Sequence, residues 1–226
     1  MGNAARPTTT VEEYLETILN MISEKKTVLA VRLAEKLQVS PPTVTATLQR
    51  MLRDGLITVD QHKEISLTKE GLKNAFSIVR RHRLAERLLT DFLKIPWDQA
   101  HKEACLLEHG ISDKVEQSLY HALGKPSTCP HGNPIPMDDT LAPFKGSPLD
   151  TIAVGETLIV ERVSEEADQI ENLMKYFDQI GIKPDVSIEL KEVADYAGTI
   201  TVLINNKEHT IGSKAAAMIW VKPSTV

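Results

Sequence analysis

Residues 32–57 read RLAEKLQVSPPTVTATLQRMLRDGLI, and this stretch decides how the chain begins. Leu33, Ala34 and Leu37 recur at helical spacing, so a short helix is predicted over about 29–37. Val39-Ser40-Pro41-Pro42 follows. Serine is a good N-cap because its oxygen accepts from a free backbone N–H, and proline is tolerated at the first helical position, where that N–H is unused. The helix opened here, about 41–54, turns Val44, Leu48, Met51 and Leu52 inward and stops at Gly55. Thr43, Thr45, Thr47 and Gln49 form a row of small polar side chains expected to face solvent, where they suit a groove better than a core.

Upstream, Val11, Leu15, Ile18, Leu19 and Ile22 mark an amphipathic helix over 10–23, and Thr10 with Glu13 fits a capping box. Downstream, 56–59 and 65–67 are strand-like runs joined by the polar tip Asp60-Gln61-His62-Lys63-Glu64. Helix, short helix, capped helix, hairpin is the order of a winged helix-turn-helix, which assigns residues 1–74 to DNA binding. A small helical bundle with a hairpin is the plainer reading of the same pattern.

A long helix is predicted from Thr68 to about Leu93, broken by Pro96-Trp97-Asp98, with Asp98 able to cap the helix that follows. That helix carries His101, Cys105, Glu108 and His109, an H-x3-C-x2-E-H run. Offsets of four, seven and eight return close to one helix face, which would present two imidazoles, a thiol and a carboxylate, all competent metal ligands. His82 and Glu86 are four apart on the preceding helix, and Cys129 stands two before His131. Five of the seven histidines and both cysteines lie between residues 82 and 131. Any one of these residues could be an ordinary buried or surface side chain; their concentration points to metal.

A further helix should run to Gly124, and residues 126–150, rich in Pro, Gly and Asp, read as an extended linker. The last 75 or so residues change character. Strands are predicted over 159–163, 186–193, 199–204 and 218–221, with one helix near 169–180 ended by Gly181. Turn signals fall at Tyr196-Ala197-Gly198 and Asn205-Asn206. Several short strands in so small a span suggest a compact β-barrel. The fold expected is α+β and mainly α: a winged helix-turn-helix over 1–74, a helical metal-binding domain over 75–137, a linker over 138–150 and a compact β-barrel over 151–226.

The 226 residues carry a formal charge of −5, but the charge is unevenly spread. Residues 1–74 and 75–137 are each at +1, and residues 138–226 are at −7. DNA affinity in the first two thirds must therefore come from local placement of charge. No apolar run is long enough to span a bilayer and no signal-peptide core is visible, so a cytoplasmic address is expected, with the two cysteines as thiols or ligands. No H-E-x-x-H, nucleophile elbow or phosphate loop occurs, so no enzyme is expected.

VEEYLETI (11–18), the 32–57 stretch, LTKEGL (67–72), RRHRLAERLLTDFL (80–93), HKEACLLEHGISDKVE (101–116) and TCPHGNPIP (128–136) together resemble the diphtheria toxin repressor family of metal-activated transcriptional repressors. The final 75 residues match only the general pattern of that family's SH3-like domain. The resemblance, carried by motifs through residues 10–137, implies that 75–137 is a dimerisation domain and that the barrel is SH3-like. It also implies two metal sites per subunit. The primary, regulatory site would fall on Glu13, Cys105, Glu108 and His109. Read from the residues alone, Glu13 can equally serve as the capping-box partner of Thr10. Glu13 stands where manganese-type members are acidic and iron-type members have methionine, whereas Cys105 is the iron-type residue. The set is a hybrid that suits Fe(II), Co(II) or Ni(II) and tolerates Mn(II). The ancillary site would use His82 and Glu86 with His101, as in iron-type members, or with Cys129 and His131, as in manganese-type ones. The C-terminal domain would add Asp168 and Glu171. At the reading head the resemblance implies base-proximal contacts from Ser40 and Pro42 and phosphate contacts around Thr43, Thr45 and Arg53. Ala46 replaces a glutamine of iron-type members.

The function expected is that of a homodimeric repressor activated by Fe2+ or Mn2+, with Co2+, Ni2+ or Zn2+ active in vitro. Its partners would be double-stranded operator DNA and a second copy of the chain, with no membrane and no small organic substrate. Two other classes fit the residues less well: a winged-helix repressor answering to a non-metal ligand, and a metalloenzyme.

Overall fold

The structure, a computed structural model, describes residues 6–137, 140 and 142–224. It opens with α1 (Thr9–Ser23), α2 (Ala30–Leu37) and α3 (Pro41–Arg53), followed by the hairpin β1 (Ile57–Val59) and β2 (Ile65–Leu67). Ser40 caps α3 as its sequence requires, its Oγ accepting from Thr43 N. The capping box of Thr10 and Glu13 does not form. The carbonyl of extended Thr8 already accepts from the N–H groups of Val11 and Glu12, so α1 starts earlier and Thr10 lies inside its first turn.

Val11, Leu15, Ile18 and Leu19 of α1 share a core with Leu33, Val44, Leu48, Met51, Ile57 and Ile65. Ile22 and Leu52, expected inside, are exposed, and in the same last turns their neighbours Met21 and Met51 take the core positions instead. Thr47, expected outside, is buried. It lies three residues after Val44 and four before Met51, which places it on the core face of α3.

Helix α4 (Lys69–Arg87) packs along α1. Thr68 caps it, its Oγ1 accepting from Gly71 N and donating to Gly55 O. Gly71 lets α4 start hard against the wing: a Cβ there would stand 1.9 Å from the Leu56 carbonyl oxygen. The helix does not continue regularly to residue 93 but loosens into a π-turn at Leu88–Phe92. Helix α5 (Ala100–Leu107) follows, with Gln99 and not Asp98 at its N-cap and no side-chain cap bond. It tightens into a 3-10 turn at Glu108–Gly110, and α6 (Asp113–Ala122) starts from the Ser112 cap.

The expected extended linker is partly folded. Thr128 bridges Pro134, and Cys129, His131 and Asn133 are buried, with Arg87 donating to the Thr128 and Cys129 carbonyls. Close packing against α4 leaves no free tether there, and further on the linker supplies β3 (Ser147–Pro148). Residues 138, 139 and 141 of the expected linker lie outside the described residues.

The C-terminal unit contains β4 (Thr157–Val163), a 3-10 turn at Glu165–Gln169, α7 (Leu173–Ile180), β5 (Ser187–Ala194), β6 (Thr199–Ile204), β7 (Lys207–Gly212), α8 (Ser213–Ala216) and β8 (Ile219–Pro223). The strands form one antiparallel sheet in the order β3-β8-β4-β5-β6-β7. Among the described residues no pairing joins β3 to β7, so the sheet has two edges. Asn205 and Asn206, both at positive φ, make the β6–β7 turn, as a tight hairpin requires. Among the described residues no helix is long and apolar enough to cross a membrane.

Candidate metal centre and reading head

His82 and Glu86 lie one turn apart on α4 and are both buried, at 0% and 1% exposure. Glu86 is a hub. Its Oε1 lies 3.3 Å from His82 Nε2, 3.5 Å from His101 Nδ1 and 3.0 Å from His131 Nδ1. His131 Nδ1 stands 4.0 Å from the Cys129 thiol, and His82 Nε2 stands 3.0 Å from His101 Nδ1. Both sets of alternative ancillary donors therefore converge on one carboxylate: His101 on one flank, Cys129 and His131 on the other.

The regulatory donors lie next to this hub. Glu108 Oε2 is 2.5 Å from His82 Nδ1, and Glu16 Oε1 is 3.7 Å from the same nitrogen. Cys105 Sγ is 3.7 Å from His101 Nε2. The expected face of one straight helix does not exist, because α5 ends at Leu107 and Glu108 and His109 sit in the 3-10 turn. Glu13 is exposed on α1 and lines one cavity with Glu16, His101, Cys105 and Glu108. His109 turns its Nδ1 to Glu12 and its Nε2 to Glu108. Asp168 is half-buried on the 3-10 turn, close enough for the His101 and His131 charges to act on it, whereas Glu171 is exposed.

Glu16 was missed from sequence. Its signal was available, since it lies three residues after Glu13 and so on the same side of α1.

The residues fit a divalent cation. Three donor groups, Glu16/His82/Glu108, His82/His101/Cys105 and Glu86/Cys129/His131, each have ligand atoms within 4.8 Å of one another. Ligands about 2.0–2.3 Å from a shared ion are separated by at most about 4.6 Å, so small rotations suffice. Glu86 Oε2, moreover, is buried without a hydrogen-bond partner. Such an atom is costly unless a cation or proton satisfies it.

Charge is redistributed through the cluster. Burial alone would lower the imidazole of His82, but the Glu16 and Glu86 carboxylates outweigh it and hold His82 well above its ordinary range. Burial also opposes charge on His131 and His101. Glu86 with the Cys129 thiol raises the first, and the Cys105 thiol with Glu86 raises the second. Glu86 is held well below the usual carboxylate range by His131 and His82 despite its burial. Glu16 goes the other way, pushed well up by burial beside Glu108. For Cys105, burial is outweighed by His101 and His82, which bring the thiol down to about 7.

The reading head is separate from this centre. Ser40, Pro42, Thr43 and Thr45 are exposed along the start of α3, and Arg53 is exposed at its end beside Asp54. Ser40 Oγ lies 2.8 Å from Thr43 Oγ1, and Thr45 Oγ1 donates back to the Pro41 carbonyl.

A capped recognition helix with a wing, joined through α1 to buried imidazole, thiol and carboxylate donors, defines the class of metal-responsive DNA-binding proteins. Comparison with known proteins makes this specific. Residues 7–65 match the model of the iron dependent repressor N-terminal DNA binding domain, residues 68–137 that of the iron dependent repressor metal binding and dimerisation domain, and residues 147–223 that of the FeoA domain. The chain is 35% identical over 210 residues to the iron-dependent repressor IdeR of Mycobacterium leprae, covering 88% of this chain and 90% of the relative. It is 37% identical over 209 residues to the diphtheria toxin repressor of Corynebacterium jeikeium, covering 82% and 86%. A manganese-dependent transcriptional repressor in complex with manganese superposes with a TM-score of 0.85 at 32% identity, covering 95% of this chain and all of that one. The chain belongs to the iron-dependent repressor family.

Metal loading should release protons, because imidazoles must be neutral to ligate. His82, His101 and His131 are raised in the folded metal-free chain, so they stabilise it below the ordinary histidine range of about 6.5 and lose that contribution as pH rises through their elevated values. The rise in thermal midpoint on adding Mn(II) should therefore grow as pH climbs toward those elevated values and level off beyond them. A differential scanning series across pH checks this, and a shift independent of pH would contradict it.

Proposed function

We propose that the chain is a cytoplasmic, homodimeric transcriptional repressor that binds operator DNA when loaded with Fe2+ or Mn2+, and that it acts as a binding switch, not an enzyme. One observation carries this reading: Glu13 and Glu16 of α1 share a cavity with His101, Cys105 and Glu108 of the helical middle. A divalent cation there supplies positive charge and directed coordination bonds. Glu13, Glu16, Cys105, Glu108 and His109 would hold it in the regulatory site. His82, Glu86, His101, Cys129 and His131 would form the ancillary one, with Asp168 the better placed of the two C-terminal candidates. Donors on both sides of the α1 junction then favour one placement of the reading head over others, which is a population shift.

Phe92, Leu93, Leu106 and Val115 are 50% or more exposed on the helical middle. Such apolar exposure suits the dimer interface, and a two-fold dimer sets two recognition helices at a fixed half-site spacing. The C-terminal sheet fits an SH3-like barrel. Register shifts at Val160/Arg162 and Leu190/Glu192 give β4 and β5 the bends that curl a sheet.

Metal should be an obligate co-repressor. With operator DNA selected from a random pool in Mn(II), chelated protein should bind at least about tenfold more weakly in a gel shift, about 1.4 kcal/mol of coupling. Equal binding with and without metal would sink the reading.

Cys105 should bias the regulatory site toward iron. A carboxylate is harder than a thiolate, so Cys105→Asp should move activation toward Mn(II) relative to Fe(II) or Co(II) in anaerobic titrations. An unchanged order of activating metals removes Cys105 as the selectivity element.

At the reading head we assign Arg53 a phosphate contact and Pro42 a contact with a thymine methyl. Arg53→Ala should weaken operator and non-operator DNA alike and lower the salt slope by about one counterion. Pro42→Ala should lower the ratio of specific to non-specific binding and leave the slope intact, because Pro41 and the Ser40 cap preserve the helix. Titrations at several salt concentrations decide it; the opposite pattern means that the two roles are reversed.

A further inference from the structure

Glu12 is a buried carboxylate of α1 that stands outside all three donor groups. It is 4% exposed, and each oxygen has its own partner. Oε1 accepts from Arg81 Nη2 at 3.0 Å, and Oε2 lies 2.7 Å from His109 Nδ1. On the other edge of the same ring, His109 Nε2 stands 3.2 Å from Glu108 Oε1. Arg81 is itself fixed, 2% exposed and donating to the Ser77 and Ile111 carbonyls. Glu12 therefore cannot swing away from His109 without abandoning a buried guanidinium, which is costly.

Glu12 at Nδ1 and Glu108 at Nε2 can each accept a proton from this ring. Once a cation takes Nε2, Glu12 is the acceptor that remains, and it favours the tautomer with the proton on Nδ1. The same contact orients the ring and makes Nε2 a stronger donor. Because Glu12 belongs to α1, the first helix of the reading head touches the metal-binding turn through this bond.

We propose that Glu12 is a positioning residue of the regulatory metal site: it presents His109 Nε2 beside Glu108 and ties the state of that ring to the placement of α1. The proposal rests on the reading of His109 as a metal donor. The simpler role, an ion pair with Arg81 that only fastens α1 to α4, makes a different prediction.

The test is Mn(II) and Co(II) binding to the full chain, measured by competition with a chelating dye for wild type, Glu12→Gln, His109→Ala and the double variant. Thermal midpoints of the metal-free forms are measured alongside. Glu12→Gln should weaken one site by roughly 10- to 100-fold with the number of ions at saturation unchanged. In the His109→Ala background the same change should add nothing. An equal loss in both backgrounds, or no loss in either, overturns the proposal and leaves a structural ion pair. A His109→Ala protein that binds metal like wild type removes His109 from the donors; that outcome overturns the underlying reading and is distinguished by the single variant alone. Should Glu12→Gln fail to fold, nitrogen NMR of the wild-type histidines decides. The proposal requires Nδ1 of His109 protonated before and after Zn(II) is added, with Nε2 taking the metal, and ligation through Nδ1 overturns it.

Discussion

Glu16 and Glu108 both approach His82 Nδ1 inside the molecule, and Glu86 meets the same ring from its other edge. Three carboxylates around one fully buried imidazole form the constraint on which the rest of the structure turns. Desolvating even one carboxylate is costly, and like charges at this range cannot all stay ionised without compensation. Two remedies exist in the metal-free chain. Neighbouring carboxylates shift His82 toward holding a proton, the Cys105 thiol and Glu86 shift His101 the same way, and burial beside Glu108 shifts Glu16 likewise. These shifts favour a proton where a divalent cation could supply charge, so a cation binding there would compete with protons.

The consequence depends on which elements carry the donors. Glu16 belongs to the first helix of the DNA-binding unit, His82 and Glu86 to α4, and Glu108 to the turn after α5. The C-terminal unit adds a second junction at the same place. Glu165 accepts from Arg83 of α4, Glu166 pairs with Lys26 and with Lys36 of α2, and Arg162 and Ser164 both donate to Glu24. Exposed ion pairs of this kind contribute little each. Arg83 and Arg162 are almost fully buried, however, and a buried guanidinium that loses its carboxylate is strongly penalised. Asp168 lies on the same short 3-10 turn as Glu165 and Glu166. A single turn of the acidic domain thus touches the reading head, the long helix and the neighbourhood of the ancillary donors.

The reading head was legible in sequence because its signals are local. Ser40-Pro41-Pro42 states a helix start, Gly55 a stop, and the alternating runs beyond it a wing; each depends on neighbours within a few residues. Where the sequence misled, a non-local term had intervened. Thr47 looks polar and outward, but the phase set by Val44 and Met51 puts it inside. The 101–109 run looks like one continuous face, but tightening after Leu107 swings Glu108 and His109 toward α1 and α4. The segment around Cys129 reads as a linker on composition, yet three of its side chains are buried because partners wait on both sides: Arg87 and Glu86 of α4 for Thr128, Cys129 and His131, and Arg162 and the Val163 carbonyl of β4 for Asn133. β7 was invisible: Lys207–Gly212 is mostly exposed and polar, and only its pairing with β6 makes it a strand.

The candidate metal donors can be read from residue type, but their grouping cannot. Sequence offered two alternative ancillary sets, and in the fold both converge on one Glu86 oxygen, with His101 on one flank and His131 on the other. Each flank also has a thiol, Cys105 at one and Cys129 at the other. Thiolate ligands favour softer ions, while carboxylates accept hard ones, so a donor field that mixes both discriminates less by hardness than either type alone. On the proposed assignment Cys105 tips the regulatory site toward softer ions, and geometry adds to that bias: how far Glu13, exposed on α1, is drawn toward Cys105 and Glu108, and whether Glu86 turns its free oxygen to one flank or the other. Those are the two adjustable elements in an otherwise buried, closely packed centre. The first of them sits on a helix of the DNA-binding unit, so on the proposed reading the choice of metal and the affinity for DNA would be coupled through α1.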